Sequence, residues 1–543
     1  MKTKTGKWQT KEQLVALLSK LVSFRSVTGS SDEITIAREI AGEIKSLPYF
    51  QENPDHVRLH PTGDGRYFVT ALAKKGENVR NTVVLVSHFD VVDVQDYGKW
   101  KHLAFDPEQL TKTYNQHRHE LPLEVQQDLT AGEWLFGRGS MDMKSGLVLH
   151  MSMLERASNG EFEGNILLLT VPDEEVNSVG MRSAVPMLLE LARQHNLDYH
   201  ACLNSEPIFA RYPGDATKYI YSGSLGKVLP GFYCYGKETH VGEPFSGLNA
   251  NSMVSQITCE LELNTAFCEA VEGEVIPPPT SLLQKDLKKE YSVQIPDRAV
   301  ALFNMFVMEK PLGEVVGQLR QLAETVAGRI EETYAKHAAI FAEQNRSTPI
   351  SMKVKVLQYE ELLEHARKTH GESTVERLQA QVLENRGDQD DREVTIHLID
   401  ELSLLCKELS PMIVLFFAPP YYPAVSSHQH PRIKRALEEA IAYAQEQQQM
   451  TLKHNYYFPG ICDLSYATLQ EPVSRLQPLT SNMPLWDKGY TLPLYELEAL
   501  NLPVMNLGPI GKDAHKWTER LDVNNAFETL VAILPVAIRK LLQ

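Results

Sequence analysis

Residues 10–22 place Leu14, Leu17, Leu18 and Leu21 at helical spacing, and Thr10 with Gln13 has the pattern of a capping box. A second helix is predicted over Ser31 to Leu47. The period then changes. Tyr67 to Leu72, Thr82 to Val86, Asn165 to Val171 and His200 to Asn204 are short apolar runs without a polar face, the pattern of buried strands. Helical stretches over 143–157 and 180–195 separate several of them. This alternation predicts an α/β sheet with helices on both faces, and its chemistry belongs in loops at the C-terminal ends of the strands.

After about residue 215 the pattern differs. A Gly-rich strand region at 221–236 leads to a helix near 249–259. Helices are predicted over 313–346, 357–382 and 397–409, with a mixed strand-like segment from Ser351 to Gln358. Residues 384–392 read as a solvated loop, and the Pro-rich passage Ala418 to Ala424 reads as a hinge. Beyond it, 430–447 is helical and 501–507 is a further buried strand.

Composition narrows the class without naming an activity. Of 543 residues, 43% are hydrophobic and 23% charged, an ordinary globular balance. Asp plus Glu is 70 against 54 Lys plus Arg, a net charge of −16 that disfavours nucleic acid and anionic lipid as partners. The six cysteines contain no Cys-x-x-Cys pair, which fits a reducing compartment. The longest strongly apolar run, Met412 to Ala418, is far short of a spanning helix, and the basic N-terminal stretch lacks an apolar signal core. A cytoplasmic protein is expected.

Several clusters carry chemistry. His88 and Asp90 follow the strand Thr82 to Val86; a histidine beside a carboxylate has the parts of an oriented metal ligand, or of an ordinary surface pair. Asp142 lies in Gly137-Arg138-Gly139-Ser140-Met141-Asp142-Met143-Lys144-Ser145-Gly146, either a ligand on a tight turn or a helix N-cap. Asp173-Glu174-Glu175 ends the strand Asn165 to Val171; three adjacent acids repel unless a cation offsets them or water solvates them. Glu206 follows His200 to Asn204, and His515 lies beyond the Gly-Pro loop after 501–507. A phosphate loop is not supported, because Lys144-Ser145 lacks the glycine lead. Taken jointly, two histidines and three carboxylates suit two Zn²⁺, Co²⁺ or Mn²⁺ ions, with one carboxylate left to act as base.

On SHFDVVD, GRGSMDMKSG, PDEEVNSVG, NSEP, GKETHVGEPFSGLNAN and GPIGKDAHKWTE, in this order, the chain resembles the M20 metallopeptidases, a family that includes aminoacylases, desuccinylases, carboxypeptidases and dipeptidases. Within the family it is similar to the long bacterial branch of arginine-utilisation and amino-acid-degradation proteins. The resemblance implies a mixed-sheet catalytic domain at 1–215 and 425–543, interrupted by an enlarged α+β lid domain at 216–424. It implies two divalent ions, zinc foremost, held by His88, Asp142, Glu175, Glu206 and His515. Asp142 would bridge them, Asp90 would orient His88, and Glu174 would be the general base for metal-activated water. His240 would be the lid histidine that meets the oxyanion. Asp463, in Gly460-Ile461-Cys462-Asp463, and Asn249 would contact substrate; Asp463 would suit a cationic group, or would simply cap a turn.

The expected reaction is hydrolysis of an amide in a small peptide or N-acyl amino acid, and the branch resemblance implies an arginine-related one. Two other readings stand beside it: a catalytically inactive relative that binds a small molecule or regulates amino-acid catabolism, and a metal phosphoesterase. The lid segment of roughly twice the length of a simple one leaves both monomer and homodimer open, and His240 could serve its own site or a neighbour's.

Overall fold

In the computed structural model, which describes residues 6–212 and 214–543, two compact units are present: Met1–Leu225 with Ala424–Gln470 and Pro493–Gln543, and Gly226–Pro423 with Glu471–Leu492. Residues 1–5 of the basic N-terminal stretch lie outside the described residues.

The first unit is built on an eight-stranded mixed sheet. Its strand order is Val57–Pro61, Tyr67–Ala73, Asn165–Val171, Asn81–His88, Asp198–Asn204, Val504–Asn506, Lys218–Tyr221 and Leu452–Asn455. The four strands from Asn165–Val171 to Val504–Asn506 run parallel. They therefore present their C-terminal ends together. Val83 and Leu85 enter one large core with the helices Lys11–Val22, Lys144–Ser158 and Val531–Leu541. Their neighbours Val84 and Val86, pointing the opposite way, are equally buried, so both faces of the sheet are covered. The first helix starts at a complete capping box: the Gln13 N–H donates to Thr10, and Gln13 Oε1 accepts from the Thr10 N–H.

The second unit carries a five-stranded sheet in the order Thr280–Asp286, Arg298–Val307, Gly226–Tyr235, Met412–Tyr422, Lys355–Gln358. The last pair is parallel and the others antiparallel. Two elements differ from their predicted form. The passage from Ala418 is not a hinge up to Tyr422: these residues finish a fully buried strand. The sheet admits Pro419 and Pro420 because the register breaks between Ala418 and Tyr422, where no ladder N–H is needed from either. The helix expected over 357–382 is two helices, Tyr359–His370 and Glu372–Glu384, parted at Gly371 with φ +86°. Glu471–Leu492 joins this unit through Asn482. The Asn482 carbonyl accepts from Phe417 N–H, its side-chain oxygen accepts from Glu360 N–H, and its amide donates to Gln358. Among the described residues no helix is long and apolar enough to cross a membrane.

Candidate active site

The strand Asn81–His88 ends on His88, and Asp90 follows in the loop. The strand Asn165–Val171 runs out into Asp173, Glu174 and Glu175, and Asp198–Asn204 into Glu206. Asp142 precedes the helix Lys144–Ser158, and His515 lies beyond the strand Val504–Asn506. Parallel pairing brings these strand ends into one cluster at the C-terminal edge of the sheet.

Asp142 lies between the two histidines. Its Oδ1 is 3.5 Å from His88 Nε2, and its Oδ2 is 3.3 Å from His515 Nε2. Each histidine has a further carboxylate: Glu206 Oε1 lies 3.5 Å from His88 Nε2, and Glu175 Oε1 lies 3.1 Å from His515 Nε2. Glu174 Oε2 is 3.8 Å from His88 Nε2. All are buried or nearly so except His515, whose side chain is 48% exposed. Donors on a tetrahedron with arms of about 2.0–2.2 Å stand about 3.4 Å apart. The histidine–carboxylate spacings are of that order, and one donor atom each of His88, Asp142 and Glu175 lies within 4.8 Å of the others, as ligands of a divalent ion would. Glu206 Oε1 is buried and makes no hydrogen bond, the condition of an oxygen that a cation would satisfy.

The electrostatics point the same way. Burial opposes a charged His88, yet Glu206, Asp142, Asp90 and Glu174 outweigh it and hold its pKa well above the ordinary value. Burial likewise opposes His515, but hydrogen bonds to Asp142 and Glu175 push it up to about 11. Burial raises Glu174 strongly, with Glu175, Asp463 and Glu206 adding repulsion. Glu206 is raised by burial and by Asp142, Asp463 and Glu175. Asp142 goes the other way: burial would raise it, but the two histidines hold it below the usual carboxylate range.

Asp90 does more than face His88. The His88 Nδ1 lies 3.4 Å from Asp90 Oδ1 and 3.1 Å from the Asp90 carbonyl. The Asp90 carboxylate also accepts from Glu174 N–H, Glu175 N–H and the Thr28 hydroxyl, at 3.1, 3.3 and 2.7 Å. One carboxylate thus sets the imidazole and the loop that bears both glutamates.

Asp463 is 1% exposed, in the turn Asp463–Tyr466. It caps nothing there, for neither of its oxygens makes a hydrogen bond. Burial, with Asp90 and Asp173, pushes it up to about 7, and its charge acts on Glu174 and Glu206. His240 and Asn249 lie in the second unit. His240 is exposed, and its Nδ1 accepts from Gly242 N–H. Asn249 caps the helix Ala250–Leu261, its side-chain oxygen accepting from Asn251 N–H.

The sequence reading named Glu519 only as the end of a His-x-x-x-Glu match and missed its supporting role and those of Glu33, Arg66 and Lys144. Glu519 is 1% exposed; it receives the Arg138 guanidinium at 2.7 Å and the N–H groups of Gly139, Met141 and Asp142. Glu33 accepts from Gly29 N–H, Asp173 N–H and Arg66. Arg66 also reaches Asp173, whose φ of +70° turns the acidic loop. Lys144 is buried under the cluster, donating to the Leu21 and Phe24 carbonyls. The His-x-x-x-Glu spacing of His515 and Glu519 was the one available signal among these.

A mixed sheet with carboxylates and histidines converging at its strand ends forms a candidate metal site, in which one donor atom each of His88, Asp142 and Glu175 lies within 4.8 Å of the others. The sequence pattern of peptidase family M20/M25/M40 matches residues 84–540. The protein YqjN of Bacillus subtilis (strain 168) is 50% identical over 536 residues, covering 99% of this chain and 97% of its own. RocB of the same organism is 33% identical over 554 residues, covering 100% of this chain and 97% of its own. A crystal structure of a tripeptidase from Staphylococcus aureus superposes with a TM-score of 0.52 at 12% identity, covering 98% of this chain and 99% of that one. The chain belongs to peptidase family M20/M25/M40.

Proposed function

We propose that this protein hydrolyses an amide bond in a small peptide or N-acyl amino acid, with an arginine- or ornithine-related compound as the first substrate to try. The observation that carries the reading is Asp142 set between His88 and His515, with Glu206 beside the first and Glu175 beside the second. These five residues are the proposed holders of two divalent ions, zinc foremost, with cobalt or manganese as alternatives. Such ions, when bound, acidify a water molecule and polarise the scissile carbonyl.

The chain's own groups then have distinct tasks. Glu174, raised by burial and by its acidic neighbours, takes the proton of the attacking water and delivers it to the departing amine. Asp90 holds His88 and the Glu174 backbone in one orientation, so base and ligand keep a fixed relation. Asp463, with two unpartnered carboxylate oxygens, is the proposed contact for a cationic group of the substrate. His240 is the proposed donor to the oxyanion, from its own chain or a second copy, and Asn249 is the proposed further substrate contact.

The test is a panel of dipeptides and N-acyl amino acids, including arginine and ornithine derivatives, assayed with zinc, cobalt or manganese and again after chelation. Chelator-sensitive hydrolysis is expected for at least one class. Tight metal binding with no hydrolysis across the panel overturns the proposal and favours a binding protein.

A further inference from the structure

The second unit holds a group of donors that the hydrolytic site does not use. His365 lies on the helix Tyr359–His370; Cys406 closes the helix Asp391–Leu405, and the turn Lys407–Leu409 sets Glu408 two positions on. One ring nitrogen, the Cys406 thiol sulfur and one Glu408 oxygen all lie within 4.8 Å of one another. His365 Nε2 is 2.8 Å from Glu408 Oε1. Cys406 is fully buried, while the other two side chains are partly open to solvent, at 35% and 50%.

An ion pair alone would account for His365 and Glu408. The Cys406 thiol packs in this unit's apolar core and reaches the same point, and the ion pair gives no role to that thiol or to His370. That residue ends the same helix, and its Nε2 is buried without a hydrogen-bond partner. An imidazole nitrogen without a hydrogen-bond partner on the helix that bears His365 is a further nitrogen donor in this part of the fold.

We propose that His365, Cys406 and Glu408 bind a single thiophilic divalent cation, of the Zn²⁺ class, separate from the hydrolytic cluster. Imidazole, thiolate and carboxylate form a mixed N/S/O set suited to zinc, and unsuited to Mg²⁺ or Ca²⁺, which favour all-oxygen shells. The donors lie within 4.8 Å of one another, against tetrahedral edges of about 3.4–3.8 Å, so a bound ion would draw them inward. His370 or water would complete four donors. The ion would fasten the helix Tyr359–His370 to the end of Asp391–Leu405, so its role is structural. The Cys406 proton is released to solvent as the metal–sulfur bond forms.

Cobalt reads the thiolate directly. Full-length protein, stripped with chelator and kept reduced, is titrated with Co²⁺ and followed in the near ultraviolet for the sulfur-to-cobalt charge-transfer band. The band is expected in the native chain and in His515→Ala. It should also survive in Cys462→Ser, which removes the buried thiol that responds to Glu206 and Glu174. It should vanish in Cys406→Ser. Since Cys406 is buried and its variant could fold poorly, His365→Ala on the helix surface is the second arm: its zinc content should fall by one ion per chain while amide hydrolysis stays as in the native chain. No band in the native protein, a band that persists in Cys406→Ser, or unchanged zinc content in His365→Ala overturns the proposal. None of these outcomes depends on whether the strand-end cluster hydrolyses amides.

Discussion

The strand-end cluster of the first unit and the His365–Cys406–Glu408 group of the second differ in what stands behind the donors. In the first, Asp142 is positioned by backbone N–H groups that converge on Glu519, and the acidic loop by N–H groups that converge on Asp90 and Glu33. In the second, the middle of one helix, the cap of another and the turn after it supply the donors, and no comparable carboxylate behind them gathers backbone N–H groups among the described residues. A preorganised second layer suits chemistry, where a small displacement of a reacting group is costly. A site without one suits fastening, where the ion itself draws its ligands together. The contrast predicts that the first cluster is sensitive to residues that touch no metal, and that the second is not.

The largest expected effect is at the base. Glu174→Gln should lower turnover by about 10²–10⁴-fold with the metal content unchanged, measured by steady-state rates and elemental analysis on one preparation. Turnover close to that of the native chain would remove Glu174 from the mechanism. His515→Ala should come next, lowering the zinc count of the first unit; unchanged stoichiometry would reject that ligand. Glu519→Ala, which touches no proposed ion, should weaken metal affinity by about 10–100-fold, read by competition with a chelating dye. If its affinity matches the native value, the preorganisation argument fails.

The pH dependence of metal-induced stability is a gentler probe. His515 is raised to about 11, and Glu174, Glu175 and Glu206 are raised as well. Raised pKa values stabilise the metal-free fold fully below the unfolded values, about 6.5 for His and 4.3 for Glu, and that contribution is lost as pH climbs through the folded values. A cation must displace these protons, and does so more easily at higher pH. The rise in Tm on adding zinc should therefore be larger at pH 8 than at pH 6; an equal or opposite change would contradict these protonation states. The smallest effect on hydrolysis belongs to the second unit. Gly371→Ala forces a side chain into φ +86° with ψ 145°, where the new Cβ meets nothing within 4 Å. It should cost about 1–3 kcal/mol by denaturant unfolding, from backbone strain alone, and leave turnover unchanged.

Much of the α/β framework was legible because each buried strand is an apolar run that stops at a polar residue: Thr82 to Val86 gives way to Ser87 and His88, and Asn165 to Val171 gives way to Asp173. Period and position were enough to collect His88, Asp142, Glu174, Glu175, Glu206 and His515 as one group, and the strand ends do meet. The supporting layer was not legible. Glu519 meets Gly139 across 380 positions and Glu33 meets Asp173 across 140, and no local pattern names such partners. Pro419 and Pro420 misled for a different reason. A proline pair argues for a break in structure, but a register irregularity let the strand absorb it. The return of Glu471–Leu492 to the second unit depends on the Asn482 side chain finding Gln358 and Glu360, again a distant pairing.

The place of Val504–Asn506 in the sheet has a consequence for synthesis. That strand lies between Asp198–Asn204 and Lys218–Tyr221, and Ser205 donates to the Leu507 carbonyl 302 positions later. On the ribosome, His88, Asp142, Glu175 and Glu206 emerge long before the strand that completes their sheet, and His515 emerges later still. The full set of clustered side chains is present in the chain only once His515 has been made.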